Sequence, residues 1–499
     1  MRIGAMLAIL LVAGTSFAAA GDDSVIYLRT TDAIDLDPWK AKEVYSTEIA
    51  FNIFEGLVRF RKNLTAVEPC LATSWTIGDN GRRWRFTLRR GVRFHDGTPF
   101  DARAVLYSFR SRLDKDQDPF HGMSSLFYFI SDVRSTDPYG VEITLKHSYA
   151  PFLVALADST AFIVSPSVRK SGVFQPIGTG PFRFLSWTRG KSLILARNPD
   201  YWGGAPSLEK VIFKVMPDSQ GRILQIKSSS ADMAKLLSSK EYEELSHHRD
   251  ISILSYASNS TQYLGFNTQK KPFDRKEVRA AFLHIIDMGS MIKQIFQNMA
   301  APAFFPLPQP LFPKSKVQPV SSFNLEAARA LLKKVGLQEG FSCSLFFSEG
   351  QEGSLEVANL LMVMAKKIKI TIKKIKLPFN KLMEAADRGE HDILLSGWST
   401  SPDPDFFLYP LFTSSPGNRN RFFYDNPELV RLLDKGKIML DPLQREKIYL
   451  EALAILEKDI PWIPLYHPLS IIACNQKVTG LAFTPLGHAI FRDVTKETK

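Results

Sequence analysis

Hydrophobic and polar positions alternate with a period of two in several short stretches of this chain. Residues 24–29 (SVIYLR) alternate in this way, and Trp84, Phe86 and Leu88 alternate with arginines and a threonine. A period of two places one face of a strand in the core and the other face in solvent. The pattern therefore predicts a strand at residues 24–29 and a half-buried strand around Trp84, Phe86 and Leu88.

Other stretches carry apolar residues at helical spacing, with a capping signal at one end. The helix predicted at residues 46–54 closes at Gly56, a residue suited to a helix C-cap, which would leave Glu55 at an exposed helix end. Asp101 and Asn324 are N-cap candidates for two further helices. The proline-rich residues 301–319 predict a long ordered loop without regular structure.

From Phe341 onward, predicted strands and helices alternate, which indicates a mostly parallel sheet. In such sheets, ligands bind beyond the carboxyl ends of the strands, and Gly397 and Trp398 lie at one such end. Residues 389–412 are therefore a candidate wall of a ligand pocket. The alternative, a core strand followed by an ordinary surface turn, stays open. The predicted elements are strands at 341–347, 370–376 and 392–395 and helices at 354–368 and 379–388.

Length, composition and charge narrow the class of protein. A chain of 499 residues is too long for one core and predicts roughly two or three domains. Its 45% hydrophobic content excludes wholesale disorder. The net charge of +12 is compatible with nucleic acid, an anionic membrane surface or acidic ligands. Because the basic residues are spread thinly, without a basic tail, we do not expect nucleic-acid binding.

The N-terminus has the pattern of a secretory signal peptide. Met1 and Arg2 form a short positive region, residues 3–12 are apolar, and three alanines ahead of Gly21 match a cleavage site. A membrane anchor would need about 20 apolar residues, roughly twice what is present. No cysteine lies near the cleavage site, which disfavours a lipid anchor. We expect a soluble, exported protein.

Candidate catalytic and metal-binding residues are few. Cys70, Cys343 and Cys474 are widely spaced without a zinc pattern, and we expect all three to be buried small hydrophobes. The neighbouring His95 and Asp96 lack a third ligand or a nucleophile nearby and are interpreted as turn residues. Gly-x-Ser-x-Gly and His-Glu-x-x-His motifs are absent from the sequence. We therefore predict no catalytic site, no metal site and no cofactor.

Eight segments, in register with one another, resemble the extracytoplasmic solute-binding proteins, family 5, of ABC importers. This is the group that takes peptides and nickel and includes the oligopeptide- and dipeptide-binding proteins. Any one segment is a weak signal, but their order and spacing cover nearly the whole chain after the signal peptide. The segments are residues 55–57, 84–108, 176–187, 198–206, 263–268, 272–282, 389–412 and 459–468.

The resemblance implies an α/β fold of the periplasmic-binding-protein type II class (cluster C) with an extra inserted lobe. Two lobes joined by a hinge would close over a ligand. Applied to this chain, it divides the sequence into a signal peptide (1–20), a first lobe (21–61, 177–263 and 478–499), an extra lobe (62–176) and a second lobe (264–477).

The resemblance also implies a function and a set of site residues. A periplasmic monomer would capture an oligopeptide, a dipeptide or a peptide-like solute. It would deliver this ligand to an inner-membrane ABC permease complex without chemistry on it. The positions that correspond to the ligand pocket of the family are Glu55, Gly56, Leu57, Phe120, Gly265, Phe266, Asn267, Gly397, Trp398 and Ser401.

Ser401 departs from the family pattern. Peptide-binding members typically carry an aspartate three residues after the tryptophan, where it pairs with the free α-amino group of the ligand. Here Ser401 occupies that position, and Asp403 and Asp405 match the family's separate Asp-Pro-Asp motif. Either the loop is one residue shorter and re-registered, or the ligand lacks a conventional amino terminus. The alternatives are a cell-wall peptide, a glutathione-like thiol peptide, a nickel or other metal chelate, or, in another class, the substrate of a secreted hydrolase.

Overall fold

The computed structural model describes most of the chain after the predicted signal peptide. Phe120 and residues 1–20 lie outside the described residues, as does most of the proline-rich stretch. No helix among the described residues is long and apolar enough to cross a membrane. The described residues are 23–41, 43–62, 66–113, 125–168, 173–297, 299–303, 307–308, 311, 323–351, 353–414 and 419–497.

The regular elements of the described residues have the following bounds. The strands are β1 (Ser24–Arg29), β2 (Val58–Phe60), β3 (Val67–Pro69), β4 (Ala72–Gly78), β5 (Arg83–Leu88), β6 (Ile130–Asp137), β7 (Gly140–Leu145), β8 (Phe182–Thr188), β9 (Ser192–Arg197), β10 (Lys210–Val215), β11 (Met233–Leu236), β12 (Ile251–Ala257), β13 (Ser260–Phe266), β14 (Ala300–Pro302), β15 (Phe341–Ser348), β16 (Ile370–Leu377), β17 (Ile393–Ser399), β18 (Trp462–Asn475), β19 (Val478–Thr479), β20 (Ala482–Phe483), β21 (Ala489–Ile490) and β22 (Thr495–Lys496). The α-helices are α1 (Val44–Ile53), α2 (Ala102–Leu113), α3 (Ser125–Phe129), α4 (Phe152–Leu156), α5 (Ser219–Lys227), α6 (Ser239–Ser246), α7 (Lys276–His284), α8 (Met288–Met291), α9 (Leu325–Lys334), α10 (Ser354–Lys366), α11 (Phe379–Asp387), α12 (Pro404–Phe412), α13 (Pro427–Ile438) and α14 (Pro442–Asp459). Short 3₁₀ turns lie at Asp79–Gly81 and Ser159–Ala161, and a π-helical turn lies at Ile292–Phe296.

One mixed sheet is continuous through the long strand β18. Its order is β16-β15-β17-β13-β18-β11-β1-β10-β9-β8, and β12 and β14 also pair with β18. The first half of β18 pairs with β13 and β14, and the second half pairs with β11 and β12. Residues 469–475, which the predicted boundaries assign to the second lobe, therefore pair with strands of the predicted first lobe. The lobe boundaries themselves stay a prediction.

The predicted alternation of strands and helices from Phe341 is confirmed as β15, α10, β16, α11 and β17. Strand β15 is parallel to both β16 and β17. Strand β17 is longer than predicted because it pairs antiparallel with the whole of β13, from Ser260 opposite Ser399 to Phe266 opposite Ile393. Trp398 therefore lies within the strand, and not beyond its carboxyl end.

The prediction of an exposed Glu55 at a helix C-cap is wrong. Helix α1 ends at Ile53, and Phe54 leaves the helix with extended backbone angles. Glu55 then forms an antiparallel bridge with Ile163, which draws the chain inward. The glutamate is consequently 7% exposed.

A separate antiparallel sheet, in the order β4-β5-β7-β6, lies within the predicted extra lobe. Trp84, Phe86 and Leu88 of β5 are buried in one hydrophobic cluster with Val105 and Phe109 of α2. The alternating arginines of β5 are exposed, so the predicted half-buried strand is confirmed. This cluster supplies the sheet with its core.

Both predicted N-caps are confirmed. The Asp101 carboxylate accepts the backbone N–H of Arg103 over 2.8 Å at the start of α2. The Asn324 side chain accepts the backbone N–H of Ala327 over 3.0 Å at the start of α9. Each bond satisfies a donor in the first helical turn that has no partner within the helix.

The proline-rich stretch contains regular structure at its start, contrary to the prediction. Ala301 and Pro302 belong to β14, in which Ala300 pairs with Pro468 and Pro302 with Tyr466 of β18. The periodicity did not reveal this strand because β14 is only three residues long.

Candidate ligand-binding site

Strand β17 carries Gly397 and Trp398 alongside β13. Gly397 lies opposite Gln262, and a Cβ atom at Gly397 would overlap the Gln262 amide. The Trp398 indole N–H donates to the carbonyl of Phe406 over 2.9 Å, which ties the ring to α12. The tryptophan is half-buried. The glycine is therefore required by its cross-strand neighbour, and the indole is held in one orientation.

The loop that follows β17 is fixed at both ends. At its start, the Asn259 amide donates to the carbonyl of Thr400 over 2.7 Å. At its end, the Asp403 carboxylate accepts the N–H of Asp405 over 2.8 Å and forms two bonds with Arg445, of 2.6 and 2.8 Å. Because Asp403 is committed to a helix cap and to a buried ion pair, it cannot replace the missing aspartate at position 401.

Ser401 lies in this loop and contacts the carboxylate of Asp158, a residue far away in the sequence. Its side chain is fully buried, and its hydroxyl donates to Asp158 Oδ2 over 3.4 Å. Asp158 precedes the 3₁₀ turn and accepts the backbone N–H of Thr160 over 3.1 Å and the hydroxyl of Ser159 over 3.4 Å. It is 1% exposed, and this burial raises the pKa of Asp158 to about 6. All these donors are neutral, and Asp158 has no ion pair with the residues that the structure describes.

Further contacts join the predicted second lobe to the predicted extra lobe. The backbone N–H of Ala150 donates to the carbonyl of Lys437 over 2.8 Å, and the Ser148 hydroxyl donates to the carbonyl of Ile438 over 3.1 Å. Phe406 of α12 belongs to the same buried cluster as the core of the four-stranded sheet. Ser401 and Asp158 therefore meet within a larger interface between these parts of the chain.

Glu55 is hydrogen-bonded by residues from two other segments that resemble the family, 176–187 and 198–206. Its carboxylate accepts the Tyr201 hydroxyl over 2.7 Å and, over 2.8 Å each, the Thr179 hydroxyl and the Trp202 indole N–H. The Cys70 thiol lies 3.5 Å away as a fourth donor. Burial and the neighbouring Glu55 raise the pKa of both Tyr201 and Cys70, so both stay protonated. The Glu55 carboxylate therefore accepts hydrogen bonds from other groups of the protein itself.

Gly56 and Leu57 are also packed against the protein. A Cβ atom at Gly56 would lie 2.8 Å from the carbonyl oxygen of Leu156, and Leu57 is fully buried. Glu55 and Gly56 line a cavity of about 80 Å³ together with Tyr201 and Arg492. Such a volume holds only a few water molecules. Ligand contact by residues 55–57 stays a prediction.

Residues 265–267 lie inside the sheet and its packing. A Cβ atom at Gly265 would overlap the ring of Phe422. Phe266 is fully buried and stacks on Phe273. The Asn267 amide donates to the carbonyl of Gly389 over 3.2 Å. These contacts are internal, so ligand binding by the three residues also stays a prediction.

The sequence did not identify Asp158 as a site residue. It also did not identify the buried polar pair of Thr261 in β13 and His467 in β18. The triplet Asp158-Ser159-Thr160 has the composition of a helix N-cap, which is the local signal that could have drawn attention to it. The Thr261 hydroxyl and His467 Nδ1 lie 3.1 Å apart, and burial lowers the pKa of His467 to about 4. No local pattern predicts that pair, because its members are 206 positions apart.

The histidine, aspartate and cysteine residues considered as candidates in the sequence have structural surroundings. The residues that the structure describes include no group of three or more His, Cys, Asp or Glu side chains that could hold a metal ion. The interpretation of His95 and Asp96 as turn residues is confirmed. His95 Nε2 lies 3.0 Å from the carbonyl of Gly180, and Asp96 accepts the N–H of Thr98. All three cysteines are buried, as predicted, and none of them forms a disulfide within the described residues.

Known proteins resemble this chain in sequence and in fold. The model of the bacterial extracellular solute-binding proteins, family 5 (middle region), matches residues 66–419. The chain belongs to this family. It is similar to heme-binding protein A of Haemophilus influenzae, with 28% identity over 90% of this chain and 87% of that protein. Two further relatives, each 28% identical, are the probable D,D-dipeptide-binding periplasmic protein DdpA of Escherichia coli (96% of both chains) and the glutathione-binding protein GsiB of Salmonella choleraesuis (94% of both chains).

Solved structures of family 5 proteins share the fold. The periplasmic binding protein DppA of Helicobacter pylori, in complex with the peptide STSA, has a TM-score of 0.79 and 29% identity over 95% of this chain and 98% of its own. HbpA2 of Haemophilus parasuis has a TM-score of 0.86 and 26% identity over 95% of this chain and all of its own. The predicted family and the α/β, two-lobed type II fold are thereby confirmed.

Proposed function

We propose that this protein captures a peptide or peptide-like solute outside the cytoplasm and delivers it to an ABC permease. It would be exported by a cleavable signal peptide, without a lipid anchor, and act as a monomer without catalysis. The observation that carries the proposal is the buried polar contact of Ser401 with Asp158. It lies next to the Gly397–Trp398 strand and joins segments far apart in the sequence. The peptide bound to the Helicobacter pylori relative supports this class of ligand.

The ligand would lie between two lobes. The chain would connect these lobes twice, once between β12 and β13 and once within β18. Support comes from β18, whose two halves pair with different sets of strands. Between the halves, the Ser258 hydroxyl donates to the carbonyl of Pro468 over 2.7 Å. A hinge at residues 257–260 and 467–470 would let the lobes separate for ligand entry. Small-angle scattering should then report a smaller radius of gyration after ligand is added.

The test of ligand class begins with native mass spectrometry of the mature protein as purified. A pool of synthetic di- to tetrapeptides is then added, with thermal unfolding as the readout. A ligand at 100 times its Kd stabilises the folded state by about 2.7 kcal/mol, which gives a measurable rise in Tm. A matched pool of free amino acids is the control. If no peptide raises Tm and no peptide co-purifies, the peptide proposal is wrong.

A second candidate is a non-standard solute, such as a thiol peptide, a cell-wall peptide or a metal chelate. Ser401, in the position of the aspartate typical of peptide-binding members, favours it, as do the relatives named for glutathione and D,D-dipeptides. Reduced glutathione, D-alanyl-D-alanine, a nickel–histidine chelate and hemin are the probes. A Tm rise with one of these, and none with the peptide pool, would select this candidate. Mass spectrometry of the recovered ligand would reveal turnover if the protein were a hydrolase.

A further inference from the structure

Asp158 is a buried carboxylate without a cationic partner. Its donors are the backbone N–H of Thr160 and the hydroxyls of Ser159, Thr160 and Ser401, all of them neutral. The guanidinium of Arg112 donates to the carbonyl of Thr160 and lies 4.1 Å from the ring centre of Phe127. Among the described residues, no Lys, Arg or His nitrogen lies within 4.0 Å of the Asp158 carboxylate.

An ionised carboxylate is costly to bury unless a cation compensates its charge. Two other buried acids of this protein have such a cation: Glu48 pairs with Arg29 over 2.9 Å, and Asp403 pairs with Arg445. Asp158 is as deeply buried as these residues but has only neutral donors. Burial alone raises its pKa, which is the expected response of a carboxyl group that lacks a counter-charge.

The position of Asp158 makes a ligand the natural source of that cation. The carboxylate lies at the interface that contains Ser401, the residue that follows the Gly397–Trp398 strand. A charged group that enters between the two segments would contact Asp158 from one side and the loop of Ser401 from the other. Binding of the cation would thereby also favour closure of the interface.

We propose that Asp158 binds the cationic amino group of the ligand, in the role that relatives give to an aspartate three residues after the tryptophan. This inference rests on the proposed function, because it assigns an amino group to the solute that the protein captures. The specificity determinant would then lie on the opposite side of the cleft from its usual location. Ser401 would donate a hydrogen bond to Asp158 without adding a second negative charge beside it.

The experiment compares ligands that differ only in the amino group. Wild-type protein is incubated with a pool of di- to tetrapeptides plus reduced glutathione, and separately with the same pool after N-acetylation. Bound species are read by native mass spectrometry, and Kd values of the captured peptides are measured by calorimetry. We expect N-acetylation to weaken wild-type binding about ten- to hundredfold, the range for a hydrogen bond to a charged group.

The variant Asp158→Asn removes the charge and keeps the size of the side chain. We expect it to lose the preference for free-amino ligands and to bind the acetylated peptides as wild type does. Asp405→Asn is the matched control. Asp405 is equally buried, with a pKa raised to about 6, but its hydrogen-bonding partner, Tyr449, belongs to the same predicted lobe. This control should keep the preference.

The outcomes separate the two proposals. If wild type binds peptides but does not discriminate against N-acetylation, Asp158 is not the amino-group site, while the proposed function stands. The same holds if Asp158→Asn is folded and keeps the discrimination. If wild type binds neither pool, the peptide function and the inference are both wrong. The wild-type comparison alone decides the matter should Asp158→Asn fail to fold.

Discussion

The Ser401 hydroxyl donates to the Asp158 carboxylate over 3.4 Å, although the two residues are 243 positions apart. This contact gives a physical reason for a neutral residue at position 401. An aspartate at position 401 would bring a second buried carboxylate against Asp158, and two like charges at this distance disfavour each other's ionised forms. A serine instead supplies a hydroxyl donor. The residue at 401 and the acid at 158 are therefore best understood as a pair.

The pair predicts that Asp158→Asn stabilises the ligand-free protein at neutral pH. The pKa of Asp158 is raised in the folded state from 3.8 to about 6, so the folded protein binds a proton that the unfolded chain has released. The resulting stability is present below pH 4 and is lost as pH rises through 6. At pH 7.5, the variant should exceed wild type by up to about 3 kcal/mol in unfolding free energy.

Urea unfolding at pH 7.5 and pH 4.5 checks this prediction. The advantage of the variant should shrink at pH 4.5, where Asp158 of wild type is protonated. Asp405, whose pKa is also raised to about 6, titrates in both proteins and cancels in the difference. An advantage that is the same at both pH values would contradict the assigned cause.

Replacement of Glu55 by glutamine should destabilise the fold strongly. The carboxylate accepts three O–H or N–H donors, from Thr179, Tyr201 and Trp202, and a glutamine NH₂ group would face at least one of them. A buried donor left without an acceptor costs about 1–3 kcal/mol. Urea unfolding should show a loss of this size.

The control for that variant is Glu68→Gln. Glu68 is 31% exposed at its side chain and pairs with Arg59 and Arg61. Loss of an ion pair of this kind costs no more than about 1 kcal/mol. If Glu55→Gln left stability unchanged but weakened ligand binding, the assignment of Glu55 to an internal role would be wrong and its predicted ligand contact would gain support.

Gly265→Ala distinguishes a packing role from a ligand-binding role at that residue. The added Cβ atom would overlap the Phe422 ring, and overpacking of this kind costs about 1–3 kcal/mol. Gly78→Ala is the control, since a Cβ atom there meets nothing within 4 Å. It should change stability by less than about 0.5 kcal/mol. A weaker ligand affinity for Gly265→Ala, with normal stability, would instead support ligand contact.

The sequence was sufficient for local elements whose signals lie within a few residues. Strand β1 has the predicted bounds, Asn324 caps α9, and the alternation of β5 is reproduced in its burial. In each case, the period or the capping side chain is itself the physical cause of the element. The family could be predicted because eight such segments keep their order.

The sequence was not sufficient where the environment of a residue is assembled from distant parts of the chain. Glu55 was expected in solvent, but its donors come from Thr179, Tyr201 and Trp202, which lie 124 to 147 positions away. Trp398 was expected beyond its strand because the pairing that lengthens β17 involves β13, far away in the sequence. Asp158 has only a capping signal, and its burial depends on the approach of α12 and its preceding loop.

Arg445→Met should destabilise the loop that carries Ser401. Arg445 forms two short bonds with Asp403, which is 4% exposed and caps α12. Removal of one partner of a buried ion pair leaves an uncompensated charge and costs about 3–5 kcal/mol. Calorimetric unfolding should show this loss, and Arg445→Met/Asp403→Asn should recover part of it. If the double variant is no more stable than the single one, the pair does not act as a unit.

Ser401→Asp tests the relation between the two residues directly. The new carboxylate would face Asp158, and their repulsion should cost about 1–4 kcal/mol of unfolding free energy or of lobe closure at pH 7.5 in the absence of ligand. A cationic ligand would relieve that repulsion, so the variant should bind free-amino dipeptides with a steeper pH dependence between 5.5 and 7.5 than wild type. Calorimetric titration with L-alanyl-L-alanine across this range is the measurement.

Ser399→Asp, at an exposed position in the same segment, is the control. Indistinguishable pH profiles for Ser401→Asp and Ser399→Asp would mean that residue 401 does not face Asp158 when ligand binds.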